Sequence, residues 1–333
     1  MQTEQTIRLS LPSKGRLESD ALDFLAETGL RVFKPNPRQY EAQVPSLPEL
    51  GIIFQRPGDI VVSVRQGSID FGITGMDVIE EKRGSNGDIL ILHDALGFGH
   101  CALTLAVPEG WEQVKDIPSL KKYSAALERP LRVATKFPVL TERFLTQKEI
   151  PHTLISAEGT LETAPTIGYA DAISDLVSSG QTLKDNRLRA LPDGVIQPSQ
   201  AALIANWKVL QTNPNALEMA RRLLEYIEAH LRAKENLLVV ANMRGESPEG
   251  IARKMFNKTI VSGLQGPTIS PVIVRDAKQK WFSVSIVVHR NDLSRAITEL
   301  RNIGGSGIIV SPVTYIFEEE PPRYKAMLTA LKG

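Results

Sequence analysis

One cysteine, Cys101, stands in 333 residues, which excludes an intrachain disulfide and a cysteine-built zinc cluster. The five histidines, His93, His100, His152, His230 and His289, show no metal-ligand spacing. No Ser or Cys lies in a nucleophile motif, so covalent hydrolytic catalysis has no support. An excess of one charge is also lacking: 39 Lys and Arg face 38 Asp and Glu. That balance removes the basic surplus of a protein living on nucleic acid or an acidic membrane, so any anion must be bound locally. No apolar run approaches the roughly 20 residues that cross a bilayer, and MQTEQTIRLSLPSKGR lacks the layout of an export signal. Neither repeats nor low-complexity tracts occur. The expectation is a cytoplasmic protein with no nucleic-acid or membrane partner.

What is present is alternation. Short apolar or β-branched runs, IRLSL (7–11), DIVVSV (59–64), DFGIT (70–74), DILIL (88–92), CALTLAV (101–107), LRVAT (131–135) and AISDLV (172–177), read as strands separated by helical segments. Leu17, Ala21, Leu22 and Leu25 share one helical face, and Gly29 follows as a stop. The fold class expected is α/β in two lobes, residues 1–105 with 190–212 and residues 106–189, the chain crossing twice to form a hinge. The stripe Leu217, Ala220, Leu224, Ile227, Leu231 marks a linker helix over 213–235. Residues 236–333 then read strand, helix, strand, strand, helix, strand, the βαββαβ order of a ferredoxin-like unit with a sensing or a purely structural role.

Three segments carry candidate chemistry. In AEGTLETAPTIGYADAISDLVSSGQTLKDN (157–186), Gly159 and Thr160 precede Leu161–Glu162–Thr163–Ala164, where free amides and hydroxyls suit a phosphate or simply start a helix. Asp171 and Asp175, an even number apart, fall on one face of an extended segment and suit ribose hydroxyls or Mg²⁺, or else serve as a cap and a surface charge. SSGQT (178–182) places donors after a strand's carboxyl end, where open α/β sheets bind ligands. In SLPSKGRLES, Lys14 and Arg16 flank Gly15 at a helix start and suit a polyphosphate, with Arg56 and Arg65 extending the basic surface. In FGITGMDVIEE (71–81), Thr74 and Gly75 end a strand before Asp77, and Gly75 permits a close approach of backbone to a base or ribose. GFGHC (97–101) supplies hinge glycines, and Cys101 reads as a small core residue.

Taken in order, LPSKGRL, RPGDI, DFGITGMDVIEE, LGFGHCALTLAVP, EGTLETAPTIGYADAISDLVSSGQTL, GLQGPTISPV and IGGSGIIVSPV closely resemble the long form of ATP phosphoribosyltransferase across nearly the whole chain. That resemblance implies a periplasmic-binding-protein-like pair of lobes with the active site between them, a C-terminal domain that binds histidine as feedback inhibitor, and a homohexamer. It implies ATP and phosphoribosyl pyrophosphate as substrates with Mg²⁺. Glu158, Gly159, Thr160, Leu161, Glu162, Thr163 and Ala164 would hold the 5-phosphate, with Asp175 in the same site. Asp171 would lie near the ribose or metal; it, Lys14 and Arg16 form the catalytic set, and Arg56, Thr74, Gly75 and Asp77 the nucleotide set. Thr268, Ser270, Gly305 and Ser306 would lie near histidine. Thr166, where many relatives carry Arg, and the placement of Lys14 are departures touching single contacts. The competing expectation is a non-catalytic two-lobed solute-binding or regulatory protein.

Overall fold

The computed structural model describes residues 7–36, 38–157, 159–258, 260–275 and 279–332. They divide into two compact units, Met1–Leu224 with Pro322–Gly333, and Glu225–Pro321.

The first unit opens β1 (Ile7–Pro12), α1 (Arg16–Glu27), β2 (Glu41–Gln43), β3 (Leu50–Gln55), α2 (Pro57–Gln66), β4 (Phe71–Gly75), α3 (Met76–Lys82) and β5 (Ile89–His93). The chain then leaves for a second sheet through β6 (Cys101–Pro108), α4 (Ile117–Ala125), β7 (Leu131–Thr135), α5 (Pro138–Gln147), β8 (His152–Ser156), β9 (Ala172–Val177), α6 (Gln181–Asp185) and β10 (Leu188–Ser199). It returns as β11 (Ala201–Asn206), followed by α7 (Trp207–Thr212) and α8 (Pro214–Glu235). The sheets run β2-β3-β1-β4-β11-β5 and β10-β6-β9-β7-β8. Two α/β lobes with a doubly crossed hinge are the periplasmic-binding-protein-like arrangement expected.

Two local expectations change. DIVVSV is not a strand but the body of α2: Pro57 sits in its first turn, and Ile60, Val61 and Val64 bury one helical face rather than alternating. The strand of that region is β3, whose Ile7↔Leu50 to Pro12↔Gln55 parallel register sets it beside β1. The lobe borders also move. β6 and β10 pair from Ser199↔Cys101 to Leu188↔Pro108, so 101–105 and 190–199 belong to the second sheet. Long antiparallel pairing between segments some 80 residues apart leaves no local mark.

The interior strands of the first lobe are mostly apolar, as strands covered on both faces are, and the buried Ser10 of β1 is hydrogen-bonded within the sheet to Ile53 O and Gln55 Oε1. All of β4 is buried, and there α2 lies on Gly72: a Cβ would meet Ile60 Cγ2 at 2.5 Å and Val64 Cγ2 at 3.2 Å. Gly72→Ala is therefore expected to cost about 1–3 kcal/mol by overpacking, read from the urea midpoint; an unchanged midpoint would show that α2 moves freely.

The second unit contains β12 (Asn236–Arg244), α9 (Pro248–Phe256), β13 (Thr268–Val272), β14 (Trp281–His289), α10 (Leu293–Asn302) and β15 (Gly305–Pro312). Its antiparallel order β13-β14-β12-β15 is the ferredoxin-like one. Val239, Met243, Val284, Ile286, Ala296 and Leu300 form its core under the two helices. Residues 322–332, expected with this domain, instead form α11 (Pro322–Lys332) in the first unit, where Arg323 pairs with Asp94 at 2.7 Å. The linker helix is α8, whose residues pass from one unit to the other at Leu224 and Glu225.

Candidate functional site: a cleft between two strand edges

The hinge brings the carboxyl ends of both sheets together. β9 ends beside the start of β6 through Ala102↔Val177, β6 pairs with β10 through Cys101↔Ser199, and the returning β11 pairs with β4 through Ala201↔Gly75. Gly97 (φ 80°) and Gly99 (φ 66°) take left-handed conformations in one crossing, which side chains rarely adopt. In open α/β sheets this is the edge where ligands bind.

On the first-lobe edge, Ser13 N–H donates to Gln55 O at 2.9 Å, which sets the Lys14–Arg16 turn beside Arg56. Gly15 (φ 75°) caps α1 with no side-chain hydrogen bond, so its first amides remain available. Lys14 and Arg56 are exposed and make no ion pair among the described residues, while Arg16 lies 3.5 Å from Asp20 and is 86 % exposed. Thr74 is fully buried at the end of β4, its hydroxyl without a partner among the described residues. These four residues and Gly75 share one edge. Asp77 does not join them: it is 3 % exposed, its Oδ1 accepts from Ser199 Oγ, and its own N–H donates back to Ser199 Oγ at 3.0 Å. Burial raises its carboxyl pKa against these hydrogen bonds. Asp77 thus clasps the crossing strand rather than a nucleotide.

On the second-lobe edge, β8 leads to Gly159 and Thr160, both exposed, then to a single 3-10 turn over Leu161–Thr163. Leu161 and Ala164 are buried anchors, and Thr163 Oγ1 donates to Thr160 O at 3.1 Å, so its hydroxyl serves the turn itself. Glu158 lies outside the described residues. Asp175 sits near the end of β9 with Lys136 and Glu162 around it; burial raises its pKa, Lys136 lowers it and Glu162 raises it again. Ser178, Ser179 and Gly180 (φ 75°) then open α6. Lys136 was missed by the sequence reading, although its place directly after LRVAT, a central parallel strand, is the signal that finds it. Beneath this edge Thr135, Thr141 and Ser174 are fully buried and joined by their hydroxyls, at 3.2 Å and 2.9 Å, with Phe137 N–H donating to Thr135 Oγ1 at 2.9 Å.

Asp171 is corrected outright. It precedes β9 at the amino end of the sheet, about 20 Å along the strand from Val177 at ~3.3 Å per residue. Arg129 grips both its oxygens at 2.5 and 2.8 Å, and Arg132 adds its backbone N–H at 2.9 Å and its guanidinium at 2.9 Å. Burial would raise its carboxyl, but the two arginines outweigh it and hold the group far below the ordinary carboxylate range. With its lone pairs so occupied, Asp171 suits neither a metal nor the reacting ribose and instead staples the 165–171 return to the sheet. For a cation, the cleft edge offers Asp175 and Glu162, and among the described residues no cluster of three metal-ligating side chains occurs. Two carboxylates suit an ion that arrives on substrate phosphates and keeps several waters.

In the second unit, Thr268 and Ser270 lie on β13 and Gly305 and Ser306 on β15. These are opposite edges of a four-stranded sheet, about 14 Å apart across three strand spacings, so one chain does not bring them around a single small ligand.

Comparison with known proteins supplies the chemistry of the cleft. Residues 56–229 match the family described as ATP phosphoribosyltransferase, and 233–315 match its C-terminal domain, described as HisG, C-terminal domain. The chain is 46 % identical to ATP phosphoribosyltransferase 2, chloroplastic, of Arabidopsis thaliana, over 98 % of this chain and 81 % of that one. It is 32 % identical to the ATP phosphoribosyltransferase of Methanococcus maripaludis, over 93 % and 99 %. A solved chain of the ATP phosphoribosyl transferase (HisG:HisZ) complex from Thermotoga maritima superposes with a TM-score of 0.51 at 26 % identity, covering 67 % of this chain and 98 % of that one. None of these relatives favours the non-catalytic alternative. With cations on one lip and a Lys136–Asp175–Glu162 group on the other, the chain belongs to the ATP phosphoribosyltransferase family, the pentosyl transferases that join phosphoribosyl pyrophosphate to ATP in the first step of histidine biosynthesis.

Proposed function

We propose that phosphoribosyl pyrophosphate binds the second-lobe edge and ATP the first-lobe edge, so that closing the cleft brings adenine N1 to C1 of the ribose. The observation that carries this is the meeting of both carboxyl edges at the hinge, through Ala102↔Val177, Cys101↔Ser199 and Ala201↔Gly75. Gly159–Thr163 and Ser178–Thr182 offer amides and hydroxyls to the 5-phosphate, and Asp175 accepts from ribose hydroxyls. Lys136, Lys14, Arg16 and Arg56 neutralise phosphate charge. Adenine N1 already carries a lone pair, so no strong base is required, and the residues act by orienting two anions and favouring departure of pyrophosphate. Asp175 and Glu162 would hold Mg²⁺, which would supply further neutralisation of the charge that grows on the departing pyrophosphate. Exclusion of water by the closing lobes protects the activated sugar from hydrolysis.

The same reading includes histidine as an inhibitor acting through the ferredoxin-like unit, Thr268 and Ser270 among its contacts, in a homohexamer. Histidine must then prefer one conformational state rather than compete for the cleft. We assign the enzyme to the cytoplasm; the Arabidopsis relatives are named chloroplastic, and cell fractionation separates the two. The activity test is incubation with ATP, phosphoribosyl pyrophosphate and Mg²⁺, with mass spectrometry for phosphoribosyl-ATP and a repeat with histidine. Product that falls with histidine, without a change in the KM for phosphoribosyl pyrophosphate, is expected. Folded protein that makes no product overturns the substrate assignment, and purely competitive inhibition overturns the regulatory one.

A further inference from the structure

α3 carries two carboxylates one turn apart, Asp77 and Glu81, and both reach the other lobe. Residues four apart share a helix face. Asp77 holds Ser199 at the last position of β10. Glu81 goes further: its Oε1 accepts from Val139 N–H and its Oε2 from Leu140 N–H, each at 2.9 Å. These are the first free amides of α5, which has no cap from its own chain segment; Phe137 at the N-cap position makes no side-chain bond. A helix start leaves such donors unsatisfied unless something external meets them. Here a carboxylate from the opposite lobe meets two at once, with its charge on the positive end of the helix dipole. Around it Val78 and Ile196 pack on Phe137, Leu140 and Leu103, so the contact lies on an apolar seat.

The position of this contact matters more than its strength. α3 starts directly after Thr74–Gly75 on the first-lobe edge, and α5 starts directly after Lys136 on the second. α5 is in turn tied to β7 and β9 through Thr141, Thr135 and Ser174, the last adjacent to Asp175. A chain of contacts therefore runs from the first-lobe lip through Glu81 and α5 to Lys136 and Asp175.

We propose that Glu81 is a positioning residue of the transfer reaction: from the first lobe it caps α5 of the second and fixes the relative placement of the two substrate edges. This rests on the assignment of the substrates to the two edges. Glu81 touches no reacting atom; its effect passes through α5. Removing it lets the lobes sample other angles, and misplacing reactants by about 1 Å can cost a hundredfold in rate.

The experiment uses the full-length enzyme and the variants Glu81→Ala and Glu81→Asp, with Glu80→Gln as a control on the same helix. Glu81→Ala is expected to lower kcat about tenfold or more and to raise KM for both substrates, with an unchanged far-ultraviolet spectrum. Glu81→Asp, one methylene short, is expected to fall between, and Glu80→Gln to match the wild type. Hydrogen exchange supplies a second readout that does not depend on activity: in the wild type the Val139 and Leu140 amides exchange slowly, unlike ordinary first-turn amides, and in Glu81→Ala they exchange fast. The proposal is overturned if those two amides exchange at exposed-helix-start rates in the wild type. It is equally overturned if folded Glu81→Ala keeps kcat and both KM values within about twofold, the result of a merely structural cap. A wild type that makes no phosphoribosyl-ATP fails the substrate assignment instead, and the exchange measurement still decides the contact.

Discussion

Asp175→Asn is expected to lower kcat/KM by about two to three orders of magnitude, whereas Asp171→Asn, four residues earlier, leaves kcat within about threefold and lowers the melting temperature by a few degrees. The two aspartates differ in what surrounds them. Asp175 faces the cleft with one backbone partner, Leu176 N–H at 2.8 Å, and so retains acceptor capacity beside Lys136 and Glu162. Its role in holding ribose hydroxyls and the substrate's cation needs the charge as well as the shape, and the amide keeps only the shape. Asp171 has its capacity filled by Arg129 and Arg132 at the far end of the sheet. Its loss leaves two guanidiniums facing each other without their shared carboxylate, which acts on stability and on the 165–171 return, not on the reacting atoms. Initial rates with both substrates and a thermal melt of each variant separate these outcomes. Equal loss of kcat/KM in both, at unchanged melting temperature, would restore Asp171 to the reaction.

That contrast also marks where sequence stopped being informative. An even spacing does place two residues on one face of a strand, but β9 begins only at Ala172, and nothing local says which end of the sheet a strand end occupies. Strand direction comes from pairing, here Val133↔Ala172 and Thr135↔Ser174 with β7, a segment some 40 residues away. The same limit explains the histidine set. Thr268 and Ser306 sit in adjacent-looking tail motifs, yet the sheet order sends β13 and β15 to opposite edges. What was legible was periodic. The α1 stripe with Gly29, the βαββαβ alternation and the two crossings each follow from a repeat of 3.6 or 2 and a turn residue. DIVVSV was misread because six β-branched or small residues in a row satisfy both periods, and the deciding residue, Pro57 in the first turn, lies just outside the run. Lys14, Arg16 and Arg56 share an edge with Thr74 and Gly75 because the first three follow β1 or β3 and the last two close β4, a relation between sequence and sheet edge that strand and turn signals do convey.

A second large effect is expected in acid. His93, at the end of β5, is 5 % exposed; burial, with the Arg323 guanidinium adding to it and Asp94 opposing, holds its imidazole down to about 4. Ala95 N–H donates to its Nδ1 at 3.2 Å, a bond that requires that nitrogen to be unprotonated. In the unfolded chain the group titrates near ~6.5. The folded pKa lies below the unfolded one, so the neutral form's contribution is complete above pH ~6.5 and is lost as pH falls from there to about 4. A difference of about 2.5 units corresponds to about 3 kcal/mol of unfolding free energy. Urea titrations at intervals from pH 7 to 4.5 are expected to show most of this loss in the wild type and a nearly flat profile in His93→Gln, which cannot charge. Asp171 does not confuse the result, because its depressed carboxyl surrenders stability only below the unfolded carboxylate range, near pH ~4. A flat wild-type profile between pH 6.5 and 4.5, or an identical slope in His93→Gln, would show that water reaches the ring. The location gives the effect a functional reach: His93 pairs with Leu203 on the returning strand, and Leu96 N–H donates to Ala201 O at 3.0 Å in the same crossing. In the folded enzyme the imidazole charges only near pH about 4, where it loosens the joint on which both substrate edges turn, so activity of the folded protein is expected to fall there, below the range in which stability declines.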